Sequence, residues 1–120
     1  MKQIESQRQF NFSCHADEMC NITKDFLLAN GFVVTGDTKL SNGISIHAKR
    51  GSETQLRLLG SLLTTPKQLP IKVNIKINND NRIDVFFSSD FDGIGSSFGL
   101  VNRFNKLYNE LCSSYEKSLC

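Results

Sequence analysis

Hydrophobic residues recur at helical spacing in two stretches of the chain, one near the start and one at the end. In the first, residues 14–30, apolar positions three and four apart form one stripe. Ser13 precedes this stretch as a capping residue, and Gly31 follows it as a left-handed stop. The second stretch, residues 98–117, carries a broader stripe. The pattern therefore predicts two amphipathic helices that each bury one face.

Between these helices the hydrophobic period changes from that of a helix to that of a strand. Apolar and polar residues alternate strictly, which is typical of antiparallel strands with one buried face and one solvated face. The alternating segments are residues 44–48, 71–77 and 83–87, with a short strand around residues 10–12 and a further strand over residues 55–59. Polar turns at Asn42-Gly43, Arg50-Gly51-Ser52 and residues 78–81 predict hairpin connections.

The element order is then strand, helix, four or five antiparallel strands, helix. This order predicts an α+β fold of two layers, in which both helices cover one face of a meander sheet of about five to six strands. The sequence has no internal repeat and no long linker, so residues 1–120 are predicted to form a single domain.

Composition narrows the class of protein without naming a partner. Hydrophobic residues make up 39% of the chain and charged residues 22%, which fits a folded globular protein. The net charge of +2 is too small for a dedicated nucleic-acid binder. No apolar run approaches the roughly 18 residues of a membrane span, and no secretory signal is evident. We therefore expect a cytoplasmic protein with four reduced cysteines, in which the sequons at Asn11 and Asn21 are chance matches.

The glycine-rich stretch between the last strand and the last helix, residues 88–99, stands where a phosphate loop would. Gly93, Gly95 and Gly99 are spaced one residue too widely for the dinucleotide fingerprint, and no Gly-Lys-Ser/Thr follows. Calcium binding also fails, because Val101 stands where an EF-hand needs a glutamate. The glycines are therefore interpreted as residues of a tight strand-to-helix corner.

Two carboxylates in the same stretch, Asp90 and Asp92, keep a chemical interpretation open. Both lie on one side of an extended segment, where they are able to hold a divalent ion or share a proton. The alternative is that they are ordinary turn residues close to the positive end of a helix.

The cysteines do not have the spacing of a metal site. Five residues separate Cys14 from Cys20 and seven separate Cys112 from Cys120, so neither pair forms a zinc knuckle. Cys14, in the first turn of the predicted helix, is a candidate for a lowered thiol pKa, although its neighbour His15 points about 100° away. We predict no metal and no cofactor.

The polar face of the predicted sheet collects cations around one histidine. His47 shares its strand face with Ser45 and Lys49, and hairpin pairing adds residues from the neighbouring strands. These are Arg57, Lys72, Asn74, Lys76 and Phe86. Such a face resembles, in chemistry only, a surface for single-stranded nucleic acid. Its single aromatic residue and the modest net charge argue against nucleic acid and favour a solvated face.

The function predicted first is a non-enzymatic domain that holds a small apolar or amphipathic ligand between the sheet and the last helix. Its lining is expected from the leucine-bearing loop and from the start of the helix. These residues are Leu62, Leu63, Leu69, Phe98, Val101 and Phe104. The alternative at this position is a close-packed core without a cavity.

Two other functions remain open at this point. A homodimerising protein-interaction module would use the exposed sheet face, since twofold contacts of like surfaces are the commonest form of association. A small enzyme would use Asp90, Asp92 and His47, with Cys14 as a further candidate.

Overall fold

A computed structural model describes residues 4–51, 69–89 and 100–120 of the chain. The order of elements is the predicted one, with a strand and a helix followed by strands and a final helix. The elements are β1 (Glu5–Asn11), α1 (Ala16–Ala29), β2 (Val33–Leu40), β3 (Gly43–Arg50), β4 (Ile71–Asn78), β5 (Arg82–Ser89) and α2 (Leu100–Ser118). The strand predicted over residues 55–59 lies outside the described residues.

The five strands form one antiparallel sheet in the order β1-β5-β4-β3-β2. Strands β2 to β5 are joined in sequence as a meander, and β1 closes against β5 with Phe10 opposite Ile83. The predicted turn at residues 78–81 is confirmed, since the Asn81 N–H donates to the Asn78 carbonyl and Asn81 has a φ of 63°. The prediction of a two-layer α+β domain is therefore correct.

Both helices cover the same face of the sheet, and the core lies between the two layers. Aromatic residues make much of this contact. The Phe87 and Tyr108 rings stack with centroids 5.1 Å apart, and the Tyr115 ring lies 5.0 Å from Phe26 and 5.9 Å from Phe10. Burying such large rings on both layers supplies much of the hydrophobic stabilisation of a domain this size.

The predicted start of α1 is wrong by two residues, whereas its end is correct. The helix begins at Ala16 with His15 as N-cap, and His15 makes no capping hydrogen bond through its side chain. Ser13, predicted to be the cap, lies outside the helix, and its N–H donates to the Cys120 carbonyl over 2.7 Å. At the other end Gly31 has the left-handed φ of 82° that a C-terminal stop requires.

Strand β2 has no alternating pattern in the sequence because it lies at the edge of the sheet. Only Val34 in this strand is partly buried, and the rest of its residues are exposed. The register also shifts between Val34 and Gly36, which marks a bulge. An edge strand with neither face fully covered lacks the apolar period that identified β3, β4 and β5.

A disulfide joins Cys14 to Cys120, with the two Cα atoms 5.7 Å apart. This finding contradicts the expectation of four reduced cysteines. The fold brings the start of α1 and the C-terminal residue together, although 106 positions separate them in the sequence. The other two cysteines, Cys20 and Cys112, are free and buried, and burial raises the pKa of both thiols.

We expect reduction of this disulfide to lower the melting temperature by about 10–20 °C. A bridge that closes a loop of about 100 residues removes unfolded-state entropy equivalent to about 4–5 kcal/mol, and each kcal/mol shifts a domain of this size by about 4 °C. Calorimetry of the oxidised protein with and without dithiothreitol measures the effect. Cys120→Ser is the control, since its melting temperature should not respond to the reductant. Equal melting temperatures for the oxidised and reduced wild-type protein would contradict the prediction.

A buried hydrogen bond ties the two helices together at Thr23 of α1 and Tyr115 of α2. The two hydroxyl oxygens are 2.7 Å apart, and both residues are almost fully buried. Burial raises the pKa of the Tyr115 hydroxyl to about 12, so both groups remain neutral at physiological pH.

Tyr115→Phe should destabilise the protein by about 1–3 kcal/mol, because it leaves the Thr23 hydroxyl buried without its partner. The double variant Thr23→Val/Tyr115→Phe should recover part of that loss, since both polar groups are then removed. Urea unfolding of the two single variants, the double variant and the wild type gives the coupling energy directly. Strictly additive effects of the two substitutions would show that the hydrogen bond contributes nothing.

Candidate functional site

Two connections between elements lie outside the described residues, and the strand ends that flank them meet at one end of the sheet. One runs from the end of β3 to the start of β4, and the other runs from the end of β5 to the start of α2. The Tyr108 hydroxyl donates to the Ile4 carbonyl, just before β1. The residues of α2 that precede Tyr108 therefore lie beyond this end of the sheet. We call this end of the sheet, where β3 and β5 end and β1 and β4 begin, the connection end.

Three of the six residues predicted to line a ligand site are described, and these three lie near the connection end. Leu69, just before β4, is 1% exposed, Val101 in the first turn of α2 is half-buried, and Phe104 is fully buried. Phe104 packs against Tyr108, with ring centroids 5.9 Å apart. The remaining predicted residues fall outside the described residues. These are Leu62, Leu63 and Phe98 of the ligand site, and Asp90 and Asp92 of the proposed carboxylate pair.

A cavity of about 180 Å³ lies at the connection end, between Leu69 and α2. Its apolar wall consists of the buried side chains of Leu69 and Leu107. Its polar side is formed by Arg103, Lys106 and Glu110, two cations and one carboxylate. The cavity is thus amphipathic, with hydrocarbon on one side and charged side chains on the other.

Four of these lining residues come from a single face of α2. Positions 103, 106, 107 and 110 follow the i, i+3, i+4, i+7 spacing that places residues above one another on a helix. In the sequence pattern Leu107 belongs to the apolar stripe of the last helix, whereas Arg103, Lys106 and Glu110 fall on its solvated side. The sequence feature that could have revealed the cavity is the border of that stripe, where long charged side chains flank a leucine. Such side chains can lie along an apolar surface instead of pointing fully into solvent.

The face of the sheet opposite the helices is open in the described residues. Its registers place Ser45, His47 and Lys49 opposite Lys76, Asn74 and Lys72, as the hairpin pattern predicted. The next strand adds Phe86 opposite Asn74. Arg57, which was predicted to share this face, lies outside the described residues. We refer to this surface as the open face.

A shallow groove crosses the open face beside Phe86. Phe86 is 39% exposed, which is unusual for an aromatic residue at the centre of a sheet. The groove is lined by Thr35, His47, Ala48, Lys49, Lys72, Val73, Asn74, Phe86 and Ser88. The Ser45 hydroxyl fixes its floor by donating to the Asn74 side-chain carbonyl over 2.9 Å. The groove therefore combines one aromatic ring, one imidazole and two ammonium groups.

The residues considered for catalysis do not come together within the described part of the chain. His47 lies on the open face, whereas Cys14 is bonded to Cys120 at the end of the sheet away from the connections. In that bonded state Cys14 has no thiol to act as a nucleophile. Over residues 4–51, 69–89 and 100–120, no three His, Cys, Asp or Glu side chains group as metal ligands would. Neither of the two described helices has the length and apolar character needed to cross a bilayer.

Comparison with known proteins does not indicate a function for this chain. No protein-family model matches the chain, and no curated protein matches its sequence. The chemistry of the cavity at the connection end and of the groove on the open face is therefore the basis for assigning a role.

Proposed function

We propose that the protein binds a small amphipathic molecule with an acidic group in the cavity between Leu69 and α2. The observation that carries this proposal is the composition of the cavity, which has two buried leucines on one side and a charged border on the other. Binding pockets commonly pair an apolar lining with a few polar groups that orient the ligand.

The size of the cavity limits the ligand to a small molecule. At about 180 Å³ it is comparable to engineered apolar cavities of about 150 Å³ that bind benzene. A single aromatic ring or a short hydrocarbon chain fits this space. The polar part of the ligand would then lie at the border formed by Arg103, Lys106 and Glu110.

The charge of that border favours an anion over a cation. Arg103 and Lys106 contribute two positive charges and Glu110 contributes one negative charge. A carboxylate on the ligand would be attracted by the Lys106 ammonium and Arg103 guanidinium groups and repelled by the Glu110 carboxylate, since all three groups lie within two helical turns. The exposed position of Lys106 also lets its ammonium group move to meet a ligand.

Titration with benzoate, benzyl alcohol and benzylammonium separates the apolar and ionic parts of this proposal. We expect benzoate to bind with a Kd of about 1 mM, the neutral alcohol more weakly and the cation least. The readout is the NMR shift of the Leu69 and Leu107 methyl groups. Lys106→Glu should weaken benzoate binding by about 3–10-fold, whereas Lys117→Glu, near the other end of α2, should leave it unchanged. Methyl signals that do not move with any of the three probes would refute the proposal.

A second candidate function, self-association through the open face, is favoured by the exposure of Phe86. The Phe86 ring stands beside a groove, so the surface has both a projection and a depression that a twofold contact brings together reciprocally. Aromatic residues at the centre of such contacts frequently supply much of the binding energy.

If a second copy covers the open face, Phe86→Ser should shift a dimer toward monomer at a given concentration. Light scattering of the wild type at about 10 and 100 µM, a range that brackets weak self-association, gives the reference masses. Gln7→Ala is a matched control, because Gln7 lies opposite Phe86 in the register and is exposed but lacks a ring. A wild-type protein that is monomeric at both concentrations would exclude this function.

A further inference from the structure

Arg50 is a buried cation on the core side of the sheet. It is the last residue of β3, at the connection end, and only 8% of its surface is exposed. Arginine is rarely buried to this extent unless its charge is paired. In the described part of the chain, however, no carboxylate contacts its guanidinium, and its Nε and Nη2 atoms have no hydrogen-bond partner.

The remaining contacts of the guanidinium hold it in one orientation. Nη1 donates to the Asn30 carbonyl over 2.8 Å, at the C-terminal cap of α1. The Phe32 ring lies beneath the group, with its centroid 4.9 Å from Cζ. The last turn of α1 has no basic residue of its own, so Arg50 supplies the positive charge that complements this helix end. One edge of the guanidinium is thus used to fix its position.

The opposite edge has the geometry of an oxyanion receptor. Nε–H and Nη2–H are parallel donors on one side of the planar group, and their spacing matches two oxygens of a carboxylate or phosphate. Two buried donors without acceptors are an unfavourable arrangement, and burial of the uncompensated charge lowers the pKa of Arg50. An anion on this edge would satisfy both donors and the charge together.

We propose that Arg50 is the centre of an oxyanion-binding site, which takes a carboxylate or phosphate group on its Nε and Nη2 edge. The site does not depend on the proposed function, because Arg50 does not line the cavity between Leu69 and α2. The substitution Lys106→Glu, which tests that cavity, should therefore leave anion binding at Arg50 intact.

Titration of the full chain with inorganic phosphate and with acetate, at constant ionic strength set by chloride, tests the site. We expect a saturable shift of the Arg50 Nε–Hε resonance with a Kd near 1 mM, and a melting temperature that rises over the same concentrations. Chloride alone should produce neither change. An Hε resonance that does not move with phosphate or acetate would overturn the proposal, and this measurement needs no variant.

Two variants test whether the anion is bound by the paired Nε–H and Nη2–H donors of Arg50 or by its positive charge alone. Arg50→Lys keeps the positive charge but loses the paired donors, so phosphate affinity should fall at least about tenfold. Arg82→Lys is the matched control, since Arg82 is an exposed arginine at the start of β5, far from Arg50 at the end of β3, and the phosphate affinity of this variant should equal that of the wild type. If Arg50→Lys folds and binds phosphate as tightly as the wild type, the paired donors of Arg50 are not what binds the anion.

A carboxylate of the chain itself is a second source of an anion for Arg50. A further set of variants distinguishes this internal source from an external anion. Glu53, Asp90 and Asp92 are carboxylates outside the described residues. Each is replaced by its amide, and the Arg50 Hε resonance is recorded in anion-free buffer. An unchanged resonance in all three variants supports an external anion. A shift in any one of them would mean that the chain supplies the carboxylate, and the proposal of a ligand site would be wrong.

Discussion

The pairing of the first strand with the last is the constraint on which the rest of the architecture depends. Strand β1 lies against β5, and the helices that come after these two strands in the chain pack on the same face of the sheet and contact each other. Their contact is then made by large rings and by the buried Thr23–Tyr115 hydrogen bond. The opposite face stays uncovered in the described residues. With both helices on one face, the core lies on that side of the sheet, and the other side is the open face.

Sequence patterns predicted the elements whose burial is one-sided and missed those whose environment comes from distant residues. Strands β3, β4 and β5 each have one buried face, so their alternation was visible. Strand β2 has no fully covered face, and its sequence shows no period. The disulfide was missed because cysteine spacing is uninformative when the fold brings the partners together. Arg50 was interpreted as part of a polar turn, and only the position of α1 over it reveals its burial.

The candidate site was predicted in part for the same reason. Leu69 was chosen because it belongs to the leucine-bearing loop that was expected to line a ligand site. Arg103 and Lys106 were not, because arginine and lysine beside a helical stripe usually belong to the solvated side.

The disulfide has a topological consequence for the two connections. It makes residues 14–120 a single covalent ring, from which β1 extends as a tail. A protease that cuts once within residues 52–68 or 90–99 therefore opens the ring without releasing a fragment. The nicked chain keeps both sides of the cut on one molecule, and β1 still pairs with β5 beside it. The disulfide thus joins the two sides of a single cut wherever between Cys14 and Cys120 that cut falls.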